Sequence, residues 1–187
     1  MARPLVRQRL DEVIVARGLA ETRARAQAII MGGGVSVGAH DHVKAVFGER
    51  GTVDFWRVAI RPGKPLAFGK WEQTLFFGLP GNPASAMVTF ELFVRPTLRN
   101  LRGLPDLFRP TVQAQLTEPV SHPPGRRSYL RAFVTCENDT YSVRPIGKQG
   151  SGMLTSLTLA NALLVLPDDV PTLDIGAFAT VLLLEGN

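Results

Sequence analysis

Residues 60–85 read IRPGKPLAFGKWEQTLFFGLPGNPAS. Two apolar runs, 66–71 and 74–78, flank Glu72-Gln73, which predicts two strands joined by a turn. A loop precedes them, because Pro62 and Pro65 bracket Gly63 and Lys64. A second loop follows at 79–83. Residues 84–101 then form a long amphipathic helix, with Met87, Phe90, Val94 and Leu98 along one side. Pro96 should kink or divide that helix near Val94. Strands that hand over to a helix through tight loops indicate an α/β domain.

Upstream, residues 53–60 alternate and are rich in β-formers. Residues 40–50 look helical, with Val43, Val46 and Phe47 on one face. The run Gly32-Gly33-Gly34 breaks any helix before them. Residues 4–31 read as two helices, with Gly18 as a stop and Thr22 as an N-cap. The apolar end at 28–31 fits a helix end or a short buried strand, and periodicity does not choose between them. Downstream of Arg109-Pro110 the character changes. Short β-like runs at 111–115, 129–136, 140–145, 162–166 and 177–184 are separated by Gly, Pro, Asn and Asp. They predict a small antiparallel barrel or sandwich that needs no helix. The expected division is therefore a basic helical segment at 1–31, an α/β domain at 32–109 and a β-barrel at 110–187.

Composition narrows the function. The chain has 187 residues, 45% hydrophobic and 20% charged, so a core can be buried. No run approaches the ~20 apolar residues of a membrane span. The first residues lack the apolar region of a signal peptide, which points to a cytoplasmic protein. The single cysteine, Cys136, excludes an internal disulfide framework, and the three histidines lack the spacing of a zinc hydrolase. The net charge is +5, and residues 1–31 carry six arginines against three acids. That segment either neutralises nucleic-acid phosphates or is a solvated helix face.

Three loops carry the candidate chemistry: GGGVSVGAHD (32–41), IRPGKP (60–65) and GLPGNPAS (78–85). In an open α/β sheet such loops gather at one edge and form the ligand crevice. Their residues suit an anion. Glycines let a ligand approach backbone N–H groups. Pro83 opens a helix at the positive end of its dipole. Arg61 and Lys64 add fixed positive charge. Asp41 is the acid among them. It either caps the helix that starts near His42 or holds a magnesium ion against phosphate oxygens, and the two roles are compatible.

The strings GGVSVGAHDHVKAV (33–46), DFWRVAIRPGKPLAFGKW (54–71) and FFGLPGNPASAMVTFELFVRPTLRNLRG (76–103) resemble the molybdopterin molybdenumtransferase family, which includes the gephyrin E domain. RRSYLRAFV (126–134), GKQGSGMLTSLTLANALLVLP (147–167) and IGAFATVLLL (175–184) resemble that family's C-terminal barrel. The resemblance implies part of a three-layer molybdopterin-binding domain, with a mostly parallel sheet and flanking helices, followed by the barrel. It implies insertion of molybdate into adenylylated molybdopterin, with release of AMP and assistance from Mg2+. By the same resemblance Asp41, Arg61 and Lys64 are catalytic, with Asp41 also the metal ligand. Gly33, Gly34, Ser36, Gly38, Pro80, Gly81, Asn82, Pro83, Arg127 and Ser151 are substrate-binding. Family members carry hydroxyl-bearing residues where this chain has Met31 and Gly32. The family also has further domains, and more of the parallel sheet, ahead of this region. A homo-oligomer or a complementary partner chain is therefore expected to complete the site. RLDEVIVARGLAETRARAQAIIMGG (9–33) resembles the start of an S4-type RNA-binding domain, which implies an alternative as a non-catalytic RNA-binding or scaffold protein, and an inactive remnant of the family is a further alternative.

Overall fold

The structure is a computed structural model and describes residues 28–31, 51–71, 74–147 and 158–184. Among the described residues the first unit is a four-stranded sheet. Its strands are β1 (Ala28–Met31), β2 (Gly51–Arg57), β4 (Pro65–Trp71) and β5 (Thr74–Gly78), in the order β1-β5-β4-β2. β3 (Ile60–Arg61) lies between β2 and β4 in the chain but joins another sheet. Residues 28–31 thus take the strand alternative.

The sheet is mixed rather than mostly parallel. β1 runs parallel to β5, whereas β4–β5 and β2–β4 are antiparallel. The reason is local. Only two residues join β4 to β5, and a parallel crossover needs a dozen or more. β5 is buried on both faces, with Phe76 1% and Phe77 2% exposed on alternate sides. Phe77, Leu66 and Leu79 pack with Val94, while Ala86, Phe90, Phe93 and Leu98 add the helix side of this core. Ala86 takes the place expected for Met87. Phe68 and Phe77, opposite each other in the β4–β5 pair, tilt at 52° with ring centres 4.9 Å apart.

The helix runs as α1 (Pro83–Thr89), a π-turn at Phe90–Val94 and α2 (Arg95–Leu101). Pro96 explains the wide turn. It has no N–H for the carbonyl four residues back, and its ring would strike that carbonyl. The Arg95 N–H instead reaches the Phe90 carbonyl, five residues back. The helix absorbs the proline as a π-turn and continues.

The second unit is a barrel built from β6 (Thr111–Leu116), β8 (Arg127–Glu137), β9 (Thr140–Pro145), β10 (Ala162–Leu166) and β12 (Phe178–Leu183). The order β10-β12-β6-β9-β8 closes on itself through β10–β8. Alternate residues fill the interior, among them Ala114, Leu116, Leu130, Ala132, Val134, Leu164 and Val181. Asn138 and Asp139, both at positive φ (48° and 60°), turn β8 into β9 as a two-residue hairpin loop. β7 (Val120–Ser121) and β11 (Thr172–Leu173) form a separate two-stranded ribbon. The predicted barrel strands are all present, but β6 pairs with β9 in parallel, so the barrel is not wholly antiparallel as expected. The two-residue strands β3, β7 and β11 were not foreseen, because so short a run has no period to read.

Candidate functional site

Sheet register brings the loops to one end of the first unit. Met31 stands beside Gly78, and Gly78 stands beside Ala67. β1 therefore ends, the Arg61–Pro65 loop enters β4 and the chain leaves β5 toward Pro80–Pro83 at the same edge. This is the crevice position expected for ligands in such a sheet.

Within the Arg61–Pro65 loop, the Val58 N–H donates to the Lys64 carbonyl at 2.9 Å and closes the turn. The Arg61–Pro62 peptide is cis, and Gly63 is buried at φ +112°. The Lys64 side chain is exposed. Arg61 is half-buried, and its Nη1 donates to the Pro123 carbonyl at 3.4 Å. Arg61 belongs to β3, which pairs in parallel with the start of β8. Ile60 faces Arg127 and Arg61 faces Ser128. The Arg127 N–H donates to the Ala59 carbonyl at 3.2 Å, so the barrel is stitched to the base of this loop.

In the Pro80–Pro83 loop, Pro80 is buried, while Gly81 and Pro83 are exposed. Asn82 is the N-cap of α1. Its Oδ1 accepts from the Ser85 N–H at 3.2 Å, and its carbonyl accepts from the Ala86 N–H at 2.8 Å. The amides of Ser85 and Ala86 are thus already engaged by the cap, and the anion-attracting feature of this end is chiefly the positive pole of the helix dipole. Thr89, fully buried one turn further on, donates its hydroxyl to the carbonyls of Ser85 (2.8 Å) and Ala86 (3.1 Å).

Of the expected site residues, Arg61, Lys64, Pro80, Gly81, Asn82, Pro83 and Arg127 lie within the described structure. The register gathers the first six at one sheet end. Arg127 is exposed and joins that region through its backbone, while its side chain lines a cavity of about 410 Å³ on the barrel, beside Gln113, Phe178 and Thr180. Gly33, Gly34, Ser36, Gly38, Asp41 and Ser151 lie outside the described residues, as do the helices expected at 4–27 and 40–50. Among the described residues no group of three or more His, Cys, Asp or Glu side chains could hold a metal, and no helix is long and apolar enough to cross a membrane.

Sequence reading missed Thr89, His122 and Ser128. Thr89 receives the loop at Gly63. Ser128, fully buried opposite Arg61, lies 2.8 Å from His122 Nδ1. The signal for Thr89 was the glycine of RPGKP, which has to lie against something small. Nothing local in the sequence joins His122 to Ser128.

Comparisons with known proteins agree with this arrangement. A family described as "Probable molybdopterin binding domain" matches residues 5–100, and the "MoeA C-terminal region (domain IV)" matches residues 113–184. The first match takes in the segment resembling an S4 domain, and that second resemblance gains no support. The chain is 38% identical over 161 residues to a molybdopterin molybdenumtransferase of Haemophilus influenzae, covering 85% of this chain and 40% of the relative. It is 43% identical over 151 residues to molybdopterin molybdenumtransferase 2 of Mycobacterium tuberculosis, covering 78% of this chain and 37% of the relative. A crystal structure of a molybdopterin biosynthesis MoeA protein from Pyrococcus horikosii superposes with a TM-score of 0.66 at 30% identity, over 86% of this chain and 38% of that one. The chain thus spans about two fifths of the length of these relatives. Its sheet, its proline-glycine loops and its closing barrel all match, and the chain belongs to the molybdopterin molybdenumtransferase family.

Proposed function

We propose that this chain acts in molybdenum cofactor biosynthesis, binding adenylylated molybdopterin and inserting molybdate with release of AMP. The observation that supports this reading is the alignment of Met31, Gly78 and Ala67, which sets the end of β1 beside the start of β4 and the end of β5, where the Arg61–Pro65 and Pro80–Pro83 loops attach. The ligand's phosphates and the molybdate dianion are all anionic. The exposed Lys64 ammonium and the Arg61 guanidinium supply matching charge, and the guanidinium can hold two oxygens at once. The start of α1 adds its dipole. These groups orient the reactants and balance charge on the departing AMP, with no covalent nucleophile required. The dithiolene sulfurs belong to the substrate, so Cys136, exposed on the barrel, has no part in the reaction.

Mg2+ bound at Asp41 would screen the phosphate oxygens, as the resemblance implies, and the binding role of Arg61 and Lys64 stands without it. Asp41 and Ser151, with Gly33, Gly34, Ser36 and Gly38, complete the proposed site. A homo-oligomer or a complex with a complementary chain is the proposed assembly, in the cytoplasm.

The test is molybdopterin binding, followed by molybdate-dependent AMP release from adenylylated molybdopterin. Loss of one charge-assisted contact costs about 1.5–3 kcal/mol. Lys64→Ala should therefore weaken binding by about tenfold or more, with unchanged thermal stability because the side chain is exposed. A wild-type chain that ignores molybdopterin, or a Lys64→Ala variant that binds it equally well, rejects the proposal.

A further inference from the structure

One buried polar cluster in the barrel is unused by the proposed reaction. His122 is 7% exposed and Ser128 is fully buried. His122 Nε2 lies 2.8 Å from the Val170 carbonyl oxygen, and Nδ1 lies 2.8 Å from Ser128 Oγ. A carbonyl only accepts, so Nε2 carries the proton. Nδ1 of the neutral ring is then the acceptor, and the Ser128 hydroxyl donates to it. The backbone N–H of His122 donates to the Pro171 carbonyl at 2.9 Å, which fixes the residue a third time.

Both neighbours of this cluster touch Arg61. Ser128 is its partner across the β3–β8 pairing, and Pro123, next to His122, offers the carbonyl to which Arg61 Nη1 donates. β3 has two residues, too few to define its own place, so its position comes from what it pairs with. A long arginine side chain likewise needs an anchor at its tip to hold one geometry.

We propose that His122 and Ser128 are positioning residues. By locking segment 122–123 to the start of β8, they set where the Arg61 guanidinium and the following loop stand. The functional meaning of this role rests on the reading above, in which that loop receives the anionic substrate. The chemistry makes the two partners separable. An asparagine at 122 can still present an oxygen near the Nδ1 position to Ser128, whereas a glutamine reaches toward Val170 instead.

The experiment uses the full chain and compares wild type with Ser128→Ala, His122→Asn and His122→Gln. Amide hydrogen exchange is read at Val58 and Arg127, whose N–H groups bond to the Lys64 and Ala59 carbonyls. Val181, in the barrel wall, is the internal reference. Molybdopterin affinity is measured in parallel. Ser128→Ala should accelerate exchange at Val58 and Arg127 about tenfold while Val181 is unchanged, and should weaken binding severalfold. His122→Asn should stay near wild type and His122→Gln should follow Ser128→Ala. Equal acceleration at Val181 would show a general structural role and overturn the inference, as would unchanged exchange at Val58 and Arg127. If histidine variants fail to fold, the near-isosteric Ser128→Ala carries the test, with Val181 as its control. A wild type that does not bind molybdopterin defeats the proposed function, while the exchange rates still decide the positioning role.

Discussion

Gly63 lies directly against Thr89. A Cβ built on Gly63 would stand 2.6 Å from Thr89 Cγ2 and 3.1 Å from Ile60 Cδ1. The Thr89 methyl cannot swing aside, because its hydroxyl is held by the carbonyls of Ser85 and Ala86. The cationic loop is thus seated on the helix that follows the second loop, and this contact couples the two halves of the candidate site.

Gly63→Ala should therefore be costly twice over, through its φ of +112° and through overlap with Thr89. Together these amount to about 2–4 kcal/mol. Thr89→Ser removes the methyl and keeps the hydroxyl bonds. The double variant should recover the overlap part of the loss and retain the backbone part. Denaturant titration of the four proteins measures the coupling, and additive costs would show that the methyl is not the obstacle.

At the helix start, stability and binding should separate. Aspartate caps a helix as well as asparagine does and favours the positive dipole end. Asn82→Asp should leave thermal stability level or slightly raised. The same carboxylate would stand beside the proposed anion site, and molybdopterin affinity should fall about tenfold. A parallel loss of stability would point instead to a damaged cap.

The sequence made the framework legible where chemistry is local. Pro62, Gly63 and Pro65 mark one loop, Pro80 to Pro83 mark another, and the apolar runs between them can hardly be anything but paired strands. The relative direction of β4 and β5 followed from the same two-residue turn, although the expectation of a mostly parallel sheet passed over it. Illegible were the contacts made across long separations. Ile60 and Arg61 give no hint that they join a strand beginning at Arg127. His122 and Ser128 lie six residues apart but meet only because a ribbon folds back beside the barrel. Pro96 announced a disturbance in the helix, but not that the helix would absorb it as a π-turn and continue.

The junction between the two units has its own electrostatic tie. Arg109 donates to both oxygens of Glu91, from Nε at 2.8 Å and from Nη2 at 3.3 Å, and Arg95 Nε stands 3.8 Å from the same carboxylate. Burial and the neighbouring Arg109 both lower the pKa of Arg95 from its usual value, and Glu91 opposes them. Glu91→Gln would leave two half-buried cations facing each other. The expected loss lies between that of an exposed and a buried pair, about 1–3 kcal/mol. Combining it with Arg109→Met should cost less than the sum of the two single changes, as a double-mutant cycle would read.

Tyr141 should report on the far end of the barrel. It stands opposite Cys136 in the β8–β9 pair, and the charge and hydrogen bonding of that thiol raise the phenol above its usual value of 10.0, with Asp139 adding a smaller push. A raised phenol pKa means that the folded state holds its proton longer than the unfolded chain. The contribution to stability is complete below pH 10 and is lost as pH rises past the folded value. Ultraviolet titration in a Tyr129→Phe background should give a midpoint above 10, and Cys136→Ala should lower it. An unchanged midpoint in that variant would remove the thiol as the cause.

Asn161 substitutes for a strand. Its Oδ1 accepts from the Val134 N–H at 2.8 Å and its Nδ2 donates to the Val134 carbonyl at 2.9 Å, so one side chain satisfies both backbone groups of a β8 residue just before β10 begins. Val134 is buried in the barrel core, where unpaired backbone groups are expensive. Asn161→Ala strands both and should cost about 2–3 kcal/mol. Asn161→Asp keeps the acceptor but sets a carboxylate oxygen against the Val134 carbonyl, with no hydrogen to share at neutral pH. It should therefore be at least as damaging as alanine despite its near-identical shape. Thermal denaturation at pH 7 distinguishes the cases. An aspartate variant as stable as wild type would mean that only the acceptor bond matters, and that the carbonyl finds another donor.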